Sequence, residues 1–244
     1  MRPTGHILAI LMAMAGAGAA QDATGILNRT AESYRHIQSW DIEQSVVAET
    51  RGAAASRTER RERYAVVEGK HRWEQGDRLS IADGQSVWTY SSQTNQYSKR
   101  DQGPVDAGPL PMGYWTPDAQ PVKSARVVRE ETVTVDGAAW NCYVVEIAHD
   151  ATESLVRGMP AAPPETWWID KDRYLVLKQE RRTSPIYKSQ QVWTTTLTKL
   201  QINQPVADSV FQFVPPAGAK LEVPPRPPAP PPAAASTPAK KKKK

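Results

Sequence analysis

Hydrophobic and polar positions change period early in the chain. Ile26, Leu27, Ala31, Tyr34 and Ile37 recur near every 3.6 residues, with Asn28, Arg29, Glu32 and Arg35 on the other side. That spacing predicts one amphipathic helix over Asp22 to Ile37. Asp22 is placed to cap it, and Gly25 weakens its first turn. From Ser39 the period becomes two: Trp40, Ile42, Val46 and Ala48 alternate with Asp41, Glu43, Ser45 and Glu49. Further alternating runs follow at Arg60–Glu68, Lys70–Gln75, Arg78–Ala82, Ser86–Ser91, Gln96–Arg100, Ala125–Val135, Ala139–Ala148, Glu165–Asp170, Tyr174–Arg182 and Lys188–Ile202. Turn formers such as Glu68-Gly69, Gly76-Asp77 and Asp136-Gly137 separate the closest of them. Short separators mean antiparallel hairpins, because parallel strands need long crossovers. Ten or eleven strands are enough for a sheet to curl rather than stay flat.

Two stretches interrupt the pattern. Gly103 to Pro121 carries Pro104, Pro109, Pro111, Pro117 and Pro121, and a second irregular stretch runs from Asp150 to Pro164. Proline lacks the N–H that a helix interior or central strand would use, so the first stretch is neither.

The ends differ from the body. Arg2 and His6 precede the uncharged apolar run Ile7 to Ala15, and small residues fill Gly16 to Ala20. This is the layout of a cleaved secretory signal over residues 1–20, too short for a comfortable membrane span. Eight of the 21 prolines lie between Pro224 and Pro238, and Lys240, Lys241, Lys242, Lys243 and Lys244 end the chain. Residues 224–244 therefore read as a disordered, proline-rich spacer with a charged tip, suited to touching an anionic membrane surface. Arg2, Arg226 and the five terminal lysines carry seven positive charges with no acid beside them. The net charge of +5 thus becomes −2 over Gln21 to Val223. A nucleic-acid partner, which requires a basic face on the folded body, loses its support. Residues 21–223 are expected to form one domain, a monomer.

Candidate chemistry is sparse. The histidines have no metal-ligand spacing, and Cys142 is the single cysteine, so neither a metal site nor an internal disulfide is expected. His71 with Glu74 is the nearest approach to an acid–base pair, without a third partner. No nucleophile elbow, zinc-binding helix motif or phosphate loop occurs, so a non-enzymatic protein without cofactors is expected. Eight tryptophans against two phenylalanines stand out. They either pad the core or line a ligand cavity. Trp40 with Ile42, Trp88 with Tyr90, and Trp167 are the candidates for the cavity side; Trp167 and Trp168 must point to opposite faces.

The order of motifs resembles a known family. Tyr34-Arg35-His36-Ile37-Gln38-Ser39 leads from helix to strand, and Asp83-Gly84-Gln85-Ser86-Val87-Trp88-Thr89-Tyr90 follows, then Asn95-Gln96-Tyr97. Trp168-Ile169-Asp170 and Val210-Phe211-Gln212-Phe213-Val214-Pro215-Pro216-Ala217-Gly218-Ala219 complete the set. Together they resemble the LolA/LolB-like superfamily of periplasmic outer-membrane lipoprotein carriers over about Ala23 to Val223. The resemblance implies a mainly β fold, a strongly curved antiparallel sheet forming an incomplete β-barrel of about eleven strands with an N-terminal helix over its open side. It also implies a periplasmic carrier or chaperone that holds lipid or lipoprotein acyl chains in an apolar interior. The alternative it implies is an envelope sensor or protein-interaction module on the same fold. The proline-rich stretch departs from the carrier pattern where lid helices are expected, and no carrier arginine maps onto this chain.

Overall fold

The computed structural model describes residues 22–52, 55–103, 122–149, 163–183 and 189–222. The expected signal segment, the lysine tip and nearly all of both irregular stretches lie outside the described residues. Helix α1 (Ala23–Arg35) precedes twelve strands. They are β1 (Ser39–Gly52), β2 (Ser56–Val67), β3 (Lys70–Gln75), β4 (Arg78–Ala82), β5 (Ser86–Ser91), β6 (Gln96–Asp101), β7 (Val122–Val135), β8 (Ala138–His149), β9 (Glu165–Asp170), β10 (Val176–Arg182), β11 (Ser189–Ile202) and β12 (Lys220–Leu221). A short 3-10 helix, Asp208–Phe211, lies between the last two.

All twelve strands form one sheet in the order β12-β6-β5-β4-β3-β2-β1-β11-β10-β9-β8-β7. Every pairing is antiparallel except β12 with β6. The sheet is two meanders joined by β1 and β11, and it curves strongly without closing. Its curl brings non-neighbouring strands together. The backbone N–H of Asp136, at the β7–β8 turn, donates to the Thr198 carbonyl at 3.2 Å, and the Leu200 N–H donates to Asp136 Oδ2 at 2.9 Å. This is the incomplete barrel with a leading helix that the motifs imply. That turn is tight because Asp136 and Gly137 both take positive φ, 51° and 74°, as a two-residue hairpin loop matching the strand twist requires.

The apolar stripe of α1 buries Ala23, Ile26, Leu27 and Ala31. Asp22 stands at the N-cap, but its side chain makes no capping bond; only its carbonyl accepts, from Ile26 N at 3.1 Å. Gly25 explains the difference. A Cβ there would lie 2.6 Å from Asp22 Oδ2, so glycine makes room for a carboxylate folded against the first turn. At the other end Asn203 clamps the junction between helix and sheet. Its Oδ1 accepts from the backbone N–H of Gln38 and Ser39 at 2.8 and 3.3 Å, and its Nδ2 donates to the His36 carbonyl at 3.3 Å.

Register fixes the two faces. Directly opposed residues share a face, so Ile42, Tyr64, Trp73, Ser80, Thr89 and Ser98 form one rung from β1 to β6. Gln44, Glu62, Gln75, Arg78, Ser91 and Gln96 form the next. This is the inner face, on which α1 lies. The outer face of β1 and β2 is laced with ion pairs. Asp41, buried there, receives Arg63 through two bonds of 3.0 Å and Lys199 at 2.7 Å. The segment after β11 crosses the outer face of β3 to β6, where Arg72 donates to the Val210 carbonyl and Lys70 pairs with Asp208.

Candidate functional site

The inner face has two parts. Under α1, Tyr34 and Ile37 meet Trp40, Ile42, Leu197 and Leu200 around only about 10 Å³ of free space. That is at the lower limit for one water, so this floor is closed. What holds the helix down is mostly apolar. The polar ties are a hydrogen bond from Val176 N to Tyr34 Oη at 3.3 Å and one from Arg29 Nη1 to Tyr174 Oη at 2.6 Å. Burial, partly countered by the Val176 amide, pushes the Tyr34 hydroxyl up to about 12, so it stays neutral at physiological pH.

Further along the same strands the inner face opens into a cavity of about 540 Å³. Trp73 lines it on β3, with Ser80 and Arg78 on β4, Thr89 and Ser91 on β5 and Gln96 on β6. The volume falls inside the ~300–1,000 Å³ typical of small-molecule sites. Tyr64 stacks beside Trp73, ring centroids 6.4 Å apart, on the side toward β1.

A buried carboxylate lies between the two parts. Glu62 is 4% exposed and accepts from Arg60 Nε (2.6 Å), Gln75 Nε2 (2.8 Å), Gln44 Nε2 (2.7 Å) and Tyr64 Oη (2.9 Å). Burial works to raise its pKa, but these donors together outweigh burial and hold it below the usual carboxylate range. Glu62 is thus a fixed anion at neutral pH. With every partner a donor to it, it organises the wall rather than serving as a base. Glu165 plays a similar part on β9, accepting from Trp167 Nε1 at 3.1 Å and Gln179 Nε2 at 2.7 Å.

The five residues expected to line one cavity are divided by the register. Trp40 and Ile42 lie on the inner face beneath α1 and are 6% and 2% exposed. Trp167 is opposed to Gln179, which is one position from the Lys178–Thr196 pair, and so shares the inner face with Val46; it is 1% exposed. By register Trp88 and Tyr90 belong to the outer face, opposite to Trp40 and Ile42. Trp88 opposes Ile81, on the rung of Arg72 and Ala65, and its ring stacks on Phe213 at 5.2 Å. Tyr90 borders the 540 Å³ cavity, although its ring also packs on Phe213, at 6.5 Å. The physical reason is that alternation shows which residues of one strand share a face, whereas inter-strand register decides which face that is.

His71 and Glu74 also part company. His71 sits on the inner face with its Nε2 3.3 Å from Ser80 Oγ, while Glu74 pairs with Arg72 on the outer face. Cys142 is fully buried, and burial, reinforced by Asp170, pushes its thiol up to about 12. At that value it is protonated and a poor nucleophile. Among the described residues no group of three His, Cys, Asp or Glu is placed to hold a metal ion. No described helix is long and apolar enough to cross a membrane.

No protein-family model matches the chain, and no curated protein matches it. Solved structures do. The chain is similar to an uncharacterized conserved protein from Thermus thermophilus, with 15% identity, a TM-score of 0.43, and 83% of this chain and 99% of that one covered. It is similar to MucB at 20% identity and a TM-score of 0.42, covering 80% of this chain and 64% of that one. A LolA superfamily protein from Nitrosomonas europaea matches at 13% identity and a TM-score of 0.31, over 78% of this chain and 97% of its own.

Proposed function

We propose that this chain is a non-enzymatic periplasmic binding protein that takes up a lipid or lipoprotein acyl group between α1 and the inner face of the sheet. The observation that carries this reading is the cover. An apolar floor of Trp40, Ile42, Leu197 and Leu200 is sealed by a single thirteen-residue helix. That helix is anchored at one end by Asn203 and tied elsewhere by two side-chain hydrogen bonds. Such a helix can swing about residues 36–38 and leave the floor behind it intact.

The energetics permit the exchange. A buried acyl chain contributes about 0.8 kcal/mol per methylene, so a chain of ~14 carbons offers roughly 10 kcal/mol. Displacing α1 would expose the buried apolar side chains Ala23, Ile26, Leu27 and Ala31 and the half-buried ring of Tyr34. At ~1.5–3 kcal/mol for each large one and less for alanine, that cost is of the same size or smaller. In the closed state the floor has about 10 Å³ free and no space for a chain, so uptake requires the helix to move.

Native mass spectrometry of the protein purified from an envelope fraction tests this. Adducts with acyl-chain masses, displaced by a fluorescent fatty-acid probe, are expected. A preparation that is repeatedly adduct-free and does not bind the probe contradicts the reading.

A further inference from the structure

We infer that the 540 Å³ cavity over β3 to β6 is a saccharide subsite, distinct from the apolar floor under α1 and independent of the acyl reading. Its lining has the two halves that sugar recognition needs. The first is a flat aromatic wall. A pyranose ring presents a patch of C–H groups with small positive partial charge, and these favour the electron-rich face of an indole. Tyr64 occupies the β1 side of Trp73, stacked at an interplanar angle of 27°. Toward β4 to β6 the rung of Trp73 continues only with Ser80, Thr89 and Ser98, whose side chains are too short to fill the space. The indole therefore has an open side facing a row of hydroxyls.

The second half is a set of neutral and charged hydrogen-bonding groups. The adjacent rung supplies Arg78, Ser91 and Gln96, and Asp77, Gln93 and Glu222 close the rim. Vicinal sugar hydroxyls both donate and accept, so they match a wall that mixes amides, carboxylates, a guanidinium and hydroxyls. An acyl chain would leave these groups desolvated and unpaired, at ~1–3 kcal/mol for each neutral one. An inorganic anion would meet the carboxylates of Asp77 and Glu222. The lining thus selects a hexose-type ring, either as a free glycan or as the head of a glycolipid.

Isothermal titration calorimetry on the full chain tests the inference with three probes: a soluble hexosamine oligosaccharide, an alkyl hexoside, and an alkyl detergent with a zwitterionic head. Saturable binding of the first two is expected, weakened about tenfold or more by Trp73→Ala. Ser80→Leu, which blocks the open side of the indole without removing an aromatic, should weaken both equally. Thermal unfolding confirms that each variant is folded. Binding of the alkyl hexoside alone, lost in both variants, identifies a glycolipid head as the source. Zwitterionic detergent that binds as tightly as the sugars and is weakened equally by Trp73→Ala and Ser80→Leu overturns the inference, because the cavity then does not select a sugar ring. Absence of saturable binding to both sugars overturns the inference, as does sugar binding undiminished in folded Trp73→Ala and Ser80→Leu.

Discussion

Ile42 and Ser80 stand on the same rung of one sheet, three strands apart, and live in different surroundings. Ile42 is 2% exposed and pressed under α1. Ser80 looks into a cavity of about 540 Å³. Both belong to one unbroken antiparallel ladder, so the difference comes from what covers them. One amphipathic helix roofs the middle of the inner face, over β1 and β11, where the curl also brings the edge strand β7 against it. The side chains follow suit along the rung: isoleucine, then tyrosine and tryptophan, then serine, threonine and serine. A single continuous sheet thereby presents a closed apolar floor and an open polar one, with Glu62 and its four donors at the boundary.

Substitutions on that rung separate the two halves most sharply. Ile42→Ala should cost about 2–4 kcal/mol, since the well-filled floor cannot collapse fully around the lost atoms. Chemical denaturation measures it as a lower midpoint at unchanged slope. Glu62→Gln, at the boundary, should cost about 1–3 kcal/mol, because Arg60 loses its carboxylate partner and the amide places a donor against donors. This variant also changes the pH dependence. With a folded pKa below its unfolded value, Glu62 stabilises the fold fully above the ordinary carboxylate pKa of 4.5 and loses that contribution as pH falls through the folded pKa. The wild type should therefore lose more stability than Glu62→Gln between about pH 6 and about pH 3. Equal losses would show that the carboxylate is not held in its charged form.

Tyr34→Phe removes the acceptor for Val176 N and should cost about 0.5–1.5 kcal/mol. Its more telling effect is on the cover: fatty-acid probe should bind faster, because one of the two polar ties on α1 is gone. Ser80→Ala should change stability by under about 0.5 kcal/mol, as expected where a side chain faces an open cavity. A cost near that of Ile42→Ala would mean that the open half is packed after all, and the contrast would fail.

Much of this architecture is legible in the chain, and the rest depends on contacts between distant segments. Periodicity locates α1 and eleven of the strands to within a few residues, because each segment carries its own alternation and its own turn. β12 escapes it: Lys220–Leu221 is two residues long, and its pairing with Gln96 and Tyr97 is parallel and remote. Asp22 has the residue type of a side-chain cap, but Gly25 lets its carboxylate lie elsewhere. Faces are harder still. Trp40 and Trp88 can each be paired with a strand-mate, but joining the pairs across strands needs every turn length in between. The two-residue turns Glu68-Gly69 and Gly76-Asp77 already set Tyr64 opposite Trp73 and Trp73 opposite Ser80. Writing out that register finds the cavity wall; only the longer β1–β2 connection hides which face it shares with Ile42.

The movable cover is the claim on which the acyl reading stands, and hydrogen–deuterium exchange with and without an acylated peptide tests it most directly. Peptides spanning Ala23–Arg35 should exchange faster in the bound protein, while those from β1 and β11 stay protected. Tight binding of the acylated peptide with no change in exchange over α1 would contradict it.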